Sequence, residues 1–251
     1  VVIYDNIKKN PDELENLENF YSNEREYARK GYYTYGGDKR SLQKPYIVME
    51  GSVDYKFKSQ PKLTPSASRI VMYAGAIEAE YGFDTLLKAF MELPIKDVEL
   101  HIYGDGKFVK QLLAYQEQDA RIKYKGVVSN EEIIKAEQQA TLLVNPRLSN
   151  QELVKYSFPS KTTEYMLSGT PVLTTKLCGI PEEYYSHLFT FEEESEQGFR
   201  DKLLETLSLP SDELQLKGMT AQKFVLENKS NIKQAQHIQH FFEEIITNNR
   251  K

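Results

Sequence analysis

The stretch Phe158-Pro159-Ser160-Lys161-Thr162-Thr163-Glu164-Tyr165-Met166-Leu167-Ser168-Gly169-Thr170-Pro171-Val172-Leu173 decides how this chain is read. Pro159 suits the first turn of a helix, where a missing backbone N–H costs nothing. A helix over Ser160–Leu167 then ends at Ser168-Gly169, with Gly169 free to turn left-handed. Pro171–Thr174 follows at once as a short apolar strand. A helix that runs through a tight turn into a buried strand is half of a βα repeat.

The same alternation extends in both directions from residue 68 onward. Short apolar runs occur at Ile70–Ala74, Val98–Tyr103, Ile122–Tyr124, Thr141–Val144, Pro171–Thr174 and, more weakly, Leu188–Phe191. Runs this short are what strands buried on both faces require. Amphipathic stretches separate them at Phe83–Leu93, Phe108–Glu117, Glu131–Gln138, Ser160–Leu167 and Glu182–Tyr185. Helices continue through 195–208 and 211–228, and the last, Ile232–Ile246, carries an apolar stripe on Ile232, Ala235, Ile238, Phe242 and Ile246. Ser129 with Glu132 forms a capping box, so a helix begins at Asn130. The expected fold class is α/β: a doubly wound, mainly parallel, Rossmann-like sheet with a C-terminal helix.

Composition bounds the function. At roughly 100–200 residues per domain, 251 residues make one large domain or two modest ones. With 40% apolar and 27% charged residues, wholesale disorder is excluded. Lys plus Arg (32) against Asp plus Glu (37) gives −5, so no overall charge draws the chain to nucleic acid. The single cysteine, Cys178, excludes an intramolecular disulfide framework and a Cys-rich metal knuckle. No apolar run approaches the ~18–20 residues of a membrane span and no signal-peptide pattern opens the chain, so the expected compartment is the cytoplasm. Residues 1–45 are polar and tyrosine-rich, Tyr46–Met49 form a short apolar run, and the stretch with Pro61 and Pro65 reads as a linker. The expected division is therefore 1–65 and 66–251.

In the common strand order 3-2-1-4-5-6, ligands bind outside the carboxyl ends of the first and fourth strands, where the chain reverses direction. That singles out the loops 75–82 and 145–161. In the first, Gly75 permits a tight turn and Gly82 a close helix start, which fits either a phosphate cradle or a plain strand-to-helix connection. The absence of G-x-G-x-x-G gives a nicotinamide site little support. In the second, Asn145-Pro146-Arg147 is followed by Lys155, Tyr156 and the helix start at Pro159. Free amides, a positive dipole and the adjacent Lys161 favour a diphosphate there. Glu164, three residues on, could accept two hydrogen bonds from a ribose diol. Equally, Lys161 and Glu164 could be an ordinary surface pair.

Other candidates carry less. Gly104-Asp105-Gly106 closes the second strand and reads as a turn, and His101 inside that strand reads as packing. His187, His237 and His240 lack metal-ligand spacing, so no metal is expected. Cys178 has no histidine partner and reads as structural. There is no Gly-x-Ser-x-Gly elbow or Ser–His–Asp arrangement, and no Asp-x-Asp pair.

At these residues the chain resembles the donor-binding half of a GT-B glycosyltransferase of family 4. The resemblance runs over about residues 45–250, through Pro45–Gly51, Tyr73-Ala74-Gly75 with Gly82, Ile102–Gly106, Tyr124–Val127, Asn145–Arg147 and, most strongly, Phe158–Leu173. It is similar to the branches that build bacterial capsule, exopolysaccharide or O-antigen. The resemblance implies a nucleotide-sugar donor as substrate, no separate cofactor, retention at the anomeric carbon and no obligatory metal. The implied acceptor is a glycan or a lipid-linked sugar. Glu164 matches the glutamate holding the donor ribose, Gly75 the diphosphate-facing glycine loop, and Gly126 with Val127 the backbone around the base. Lys161 fits a diphosphate role and, with Glu164, is the implied catalytic pair; Ala76, Pro146, Arg147, Tyr156 and Ser160 complete the implied donor-binding set.

Departures from the family pattern are specific. Tyr156 stands where the first of two spaced glutamates is usual, and Glu152 is the nearest preceding acid. Ala76 and Tyr81 stand where a basic pair commonly flanks the glycine loop, so phosphate charge falls to Lys161 with Arg147 or Lys155. A complete enzyme of this kind has an N-terminal acceptor domain of roughly 150–200 residues. Residues 1–65 are accordingly expected to be a remnant of that domain plus linker, the rest of which could carry peripheral contact with the inner membrane face. Two alternatives remain: a non-catalytic nucleotide-sugar-binding module completed by a partner, and a GT-B-like epimerase, which the few carboxylates and histidines of the site disfavour.

Overall fold

The computed structural model describes residues 51–56, 68–150 and 158–248; the Tyr46–Met49 run, most of the expected linker, Glu152, Lys155 and Tyr156 lie outside the described residues. Six parallel strands form one sheet: β1 (Arg69–Ala74), β2 (Val98–Tyr103), β3 (Ile122–Gly126), β4 (Leu142–Asn145), β5 (Val172–Thr175) and β6 (Phe189–Phe191). Their order is β3-β2-β1-β4-β5-β6, as expected from the sequence. Helices α1 (Phe83–Met91), α2 (Val109–Gln118), α3 (Asn130–Gln139), α4 (Ser160–Ser168) and α5 (Glu182–Tyr185) join successive strands. Three more, α6 (Glu196–Leu207), α7 (Ser211–Asn228) and α8 (Asn231–Asn248), follow β6.

Side chains alternate across the sheet with the period of two that an extended chain imposes. Val71 and Tyr73 of β1 enter a core with Phe83, Leu86 and Phe90 of α1 and Phe199 and Leu203 of α6. Met72 and Ala74 enter the opposite core, with Tyr165 and Met166 of α4, Tyr184 of α5 and Ala221 and Val225 of α7. Burial on both faces holds for the central strands β1, β4 and β5, whereas β2 alternates in burial and the edge strands β3 and β6 are largely only partly buried, contrary to the expectation that all six are covered on both faces.

Local signals act where the sequence places them. Ser129 and Glu132 make both bonds of the capping box at the start of α3, and Gly169 ends α4 in the left-handed conformation at φ 76°. Pro159 sits one residue earlier than expected, as the residue capping α4 rather than inside its first turn. Its missing N–H is equally harmless in either place.

The sheet parts at its centre. β1 pairs with β2 along its whole length to Ala74↔Tyr103, but with β4 only at Val71 and Met72. Beyond Met72 the β4 side of β1 loses its partner strand, and Ala74 is left with a buried N–H and C=O. The fully buried Tyr165 of α4 answers both: its hydroxyl accepts from Ala74 N at 2.8 Å and donates to Ala74 O at 3.0 Å.

The apolar stripe read along α8 is exposed at Ile232, Phe242 and Ile246, while Gln234 of the same helix is buried. The rotation of α8 is set at its start. Val53 N–H donates to Lys229 O at 3.0 Å, and Asn231 N–H donates to Val53 O at 2.9 Å. This clamp turns Ser230 and Gln234 inward, against the helix's own hydrophobic pattern. No helix among the described residues is long and apolar enough to cross a membrane.

Removing the Tyr165 hydroxyl should leave two buried backbone groups unpaired, each costing about 1–3 kcal/mol. Tyr165→Phe is therefore expected to lower the urea midpoint clearly, whereas Tyr185→Phe, at a half-buried hydroxyl, should cost less.

Candidate functional site

At the carboxyl ends of β1, β2 and β3 lies an open cleft of about 280 Å³. Ala74-Gly75-Ala76 form one side, Tyr103-Gly104-Asp105 the floor, Val127, Val128 and Ile133 the far wall, and Lys161 reaches in from α4. The floor is stitched from backbone. Gly75 N donates to Tyr103 O (3.0 Å), Ile77 N to Asp105 O (2.9 Å), Phe108 N to Ile77 O (3.0 Å) and Gly104 N to Gly126 O (2.8 Å). Such close approach needs residues without a side chain. A Cβ on Gly104 would stand 1.9 Å from Gly75 O, and Gly104 also has φ 124°. Gly104-Asp105-Gly106, read from its residues as a turn and included in the family resemblance, contributes Gly104 and Asp105 to the cleft, and the Asp105 carboxylate is tied down by the Gly106 N–H at 2.8 Å.

Four of the residues expected from sequence line this cleft: Gly75, Ala76, Val127 and Lys161. The Ala76 N–H has no backbone acceptor among the described residues. Val127 is 73% exposed, an apolar side chain held at the rim. Gly126 lies just behind it at φ 69°, with open space where a side chain would be.

In the described part of the loop after β4, Pro146 and Arg147 do not line this cleft. Pro146 is buried against the glycine loop, close enough that a Cβ on Gly82 would fall 2.1 Å from Pro146 O. Gly82, at φ 76°, therefore locks the β1 and β4 loops together. The Arg147 guanidinium lies over the Tyr81 ring at 4.4 Å, and its Nε is buried without a hydrogen-bond partner among the described residues. Stacking of this kind is worth about 0.5–2 kcal/mol and holds the cation in place without neutralising it. Beside it, Tyr73 donates to Ala76 O at 2.8 Å, and burial followed by the Tyr81 phenol holds the Tyr73 phenol well above its ordinary pKa, against the lowering effect of Arg147.

Ser160 opens α4 and is exposed, with its carbonyl accepting from Thr163 Oγ1 at 2.9 Å. Lys161 and Glu164 meet, Nζ to Oε1, at 2.9 Å, each about one third exposed. Lys161 is paired and also lines the cleft, while Glu164 is not among the lining residues. A partly exposed pair of this kind is worth only about 0–1 kcal/mol. Either partner can be drawn off by a better one. Tyr156 lies outside the described residues. No group of three His, Cys, Asp or Glu able to hold a metal ion occurs among the described residues.

Comparison with known proteins bears on this geometry. The family described as Glycosyl transferases group 1 matches residues 68–208, more than half of the chain. No curated protein matches the sequence. Among solved structures, HepE of Anabaena in complex with UDP superposes with a TM-score of 0.64 at 18% identity, over 79% of this chain and 57% of that one. Sucrose-phosphate synthase of Thermosynechococcus elongatus gives 0.65 at 16% identity, over 88% and 56%. The C-terminal domain of the group 1 glycosyl transferase LpcC of Francisella tularensis gives 0.56 at 20% identity, over 71% and 99%. The chain thus spans only 38–57% of the length of the larger neighbours, but nearly all of this isolated C-terminal domain. These neighbours share the GT-B architecture, and by its family match the chain belongs to the glycosyl transferases group 1.

Proposed function

We propose that this chain is the donor-binding half of a retaining, metal-independent glycosyltransferase of family 4. It moves a sugar from a nucleotide-sugar donor to a glycan or lipid-linked acceptor in surface polysaccharide synthesis. The observation that carries the reading is Lys161. It belongs to the first turn of α4 and lines a cleft that Gly75 and Ala76 of the glycine loop also line. In this reading, the diphosphate lies between Gly75-Ala76 and the amino end of α4, with Lys161 and the Ser160 turn as its donors. Arg147 adds a fixed positive charge behind the loop, in place of the basic pair absent at Ala76 and Tyr81. Glu164 releases Lys161 and accepts the ribose hydroxyls, and the base lies along Gly126 and Val127. Pro146 shapes the loop, and Tyr156 stands in the sequence at the position of the family's sugar-contacting glutamate. No separate cofactor takes part. UDP is the first nucleotide to try, since HepE and TarM of S. aureus are crystallised with it.

Chemistry follows from where charge develops. The bond from the sugar C1 to the diphosphate oxygen breaks, the acceptor oxygen bonds C1 on the same face, and the acceptor proton passes to the departing diphosphate. Preorganised cationic and amide donors at that leaving group stabilise it without a metal. A second reading has one observation in its favour, Tyr156 in place of a glutamate. It makes the chain a nucleotide-sugar-binding module completed by a partner, and transfer catalysed by the chain alone would end it.

Isothermal titration with UDP, GDP and ADP tests the site, and one of them should bind. Lys161→Met should weaken that binding roughly 10–100-fold, the size of a lost charge-assisted hydrogen bond. Glu164→Gln should weaken the ribonucleotide but leave the matching 2′,3′-dideoxynucleotide unaffected. Addition of EDTA should change neither affinity. Absence of binding by all three nucleotides would overturn the reading.

A further inference from the structure

Beneath the cleft lies a carboxyl group that this mechanism does not use. Glu137, near the end of α3, is 1% exposed, and its Oε1 is buried with no hydrogen-bond partner among the described residues. It shares a helix face with Ile133, one turn earlier, which lines the cleft. Its backbone is held in place by Thr170 Oγ1, which donates to Glu137 O at 2.7 Å. The side chain therefore has little freedom to reach water.

The charged groups acting on it come from α4, namely Glu164 and Lys161. The Tyr165 phenol also senses it, but that hydroxyl is committed to Ala74. On its own helix, Lys135 is exposed and paired with Glu131 at 2.7 Å, and Glu132 is bound to Ser129. The charges that act on Glu137 are thus those of Lys161 and Glu164, which are paired with each other at 2.9 Å and make no bond to it.

We propose that Glu137 is a positioning residue for Lys161: while uncharged it leaves the ammonium free to face a diphosphate in the cleft, and once ionised it draws the ammonium away and sets a second negative charge beneath the site. The proposal rests on the nucleotide reading above and adds a residue that this reading does not contain. Burial first, then repulsion by Glu164, pushes the Glu137 carboxyl up to about 8, against the opposing pull of Lys161. The uncharged form therefore dominates at neutral pH and gives way in mildly alkaline solution.

The sign of both consequences follows. Nine tenths of the molecules carry the proton at pH 7 and one tenth at pH 9, so an affinity that needs the uncharged form falls roughly tenfold between them. Stability also changes with pH. The folded chain holds this proton more tightly than the unfolded chain, where the carboxyl titrates near 4.5, so stability declines as pH rises from about 4.5 through about 8.

The test uses the near-isosteric Glu137→Gln. UDP affinity is measured by calorimetry at pH 7 and pH 9 for the wild-type chain and the variant. Thermal midpoints are measured at both pH values for the wild type, Glu137→Gln, Lys161→Met and the double variant. The wild type should lose roughly tenfold in affinity at pH 9, and Glu137→Gln should change less than about twofold. The thermal cycle should show coupling between Glu137 and Lys161 at pH 9 and little at pH 7. Equal losses of affinity in wild type and variant, or no coupling at pH 9, would overturn the proposal. If UDP does not bind, the measurement is made with whichever of GDP and ADP does; if none of the three binds at either pH, the nucleotide reading fails on its own, and the thermal cycle still decides whether Glu137 governs Lys161.

Discussion

The Tyr165 hydroxyl, bonded to both the N–H and the C=O of Ala74, is the contact on which the architecture turns. A parallel sheet that reverses its winding must open between two neighbouring strands, and opening exposes backbone polar groups that cannot be left dry. Here the gap falls after Met72, where β4 leaves β1. One phenol fills it and in doing so fixes α4 against the end of β1. The amino end of that helix, and Lys161 with it, inherits its position from this bond.

Around that point, backbone rather than side chains builds the surface a ligand would meet. Gly82 and Gly104 let the chain ends of three strands approach to distances that a Cβ would forbid. Rigid, closely packed amides suit a multiply charged group, because they need no reorganisation when charge appears. Charge is then supplied sparingly. Lys161 is held by a weak pair that can part, and Arg147 is held by a ring that cannot neutralise it. Both arrangements keep positive charge available while avoiding bare repulsion in the free protein.

Much of this was legible in the chain. The capping box at Ser129, the left-handed Gly169 and the short apolar runs report forces acting within a few residues, so they can be read without knowing the fold. Gly75, Ala76 and Lys161 of the cleft fall in the two loops that the strand order singles out, whereas Val127 was named only through the family resemblance. Other parts were not legible. Gly104 is indistinguishable from any turn glycine until Gly75 is seen beside it. Glu137 looks like one more polar residue of an amphipathic helix until α4 is laid over it. The stripe on α8 foretold a helix but not its orientation, because the clamp at Val53 outweighs the helix's own amphipathicity.

Sequence alone therefore determined the number, order and kind of the elements from β1 onward, since hydrophobic period and capping chemistry are local. Tertiary structure alone decided which charges face one another, which glycines touch, and where Arg147 and Glu137 lie. Those are properties of groups far apart along the chain, and only the packing of helices against the parted sheet brings them together.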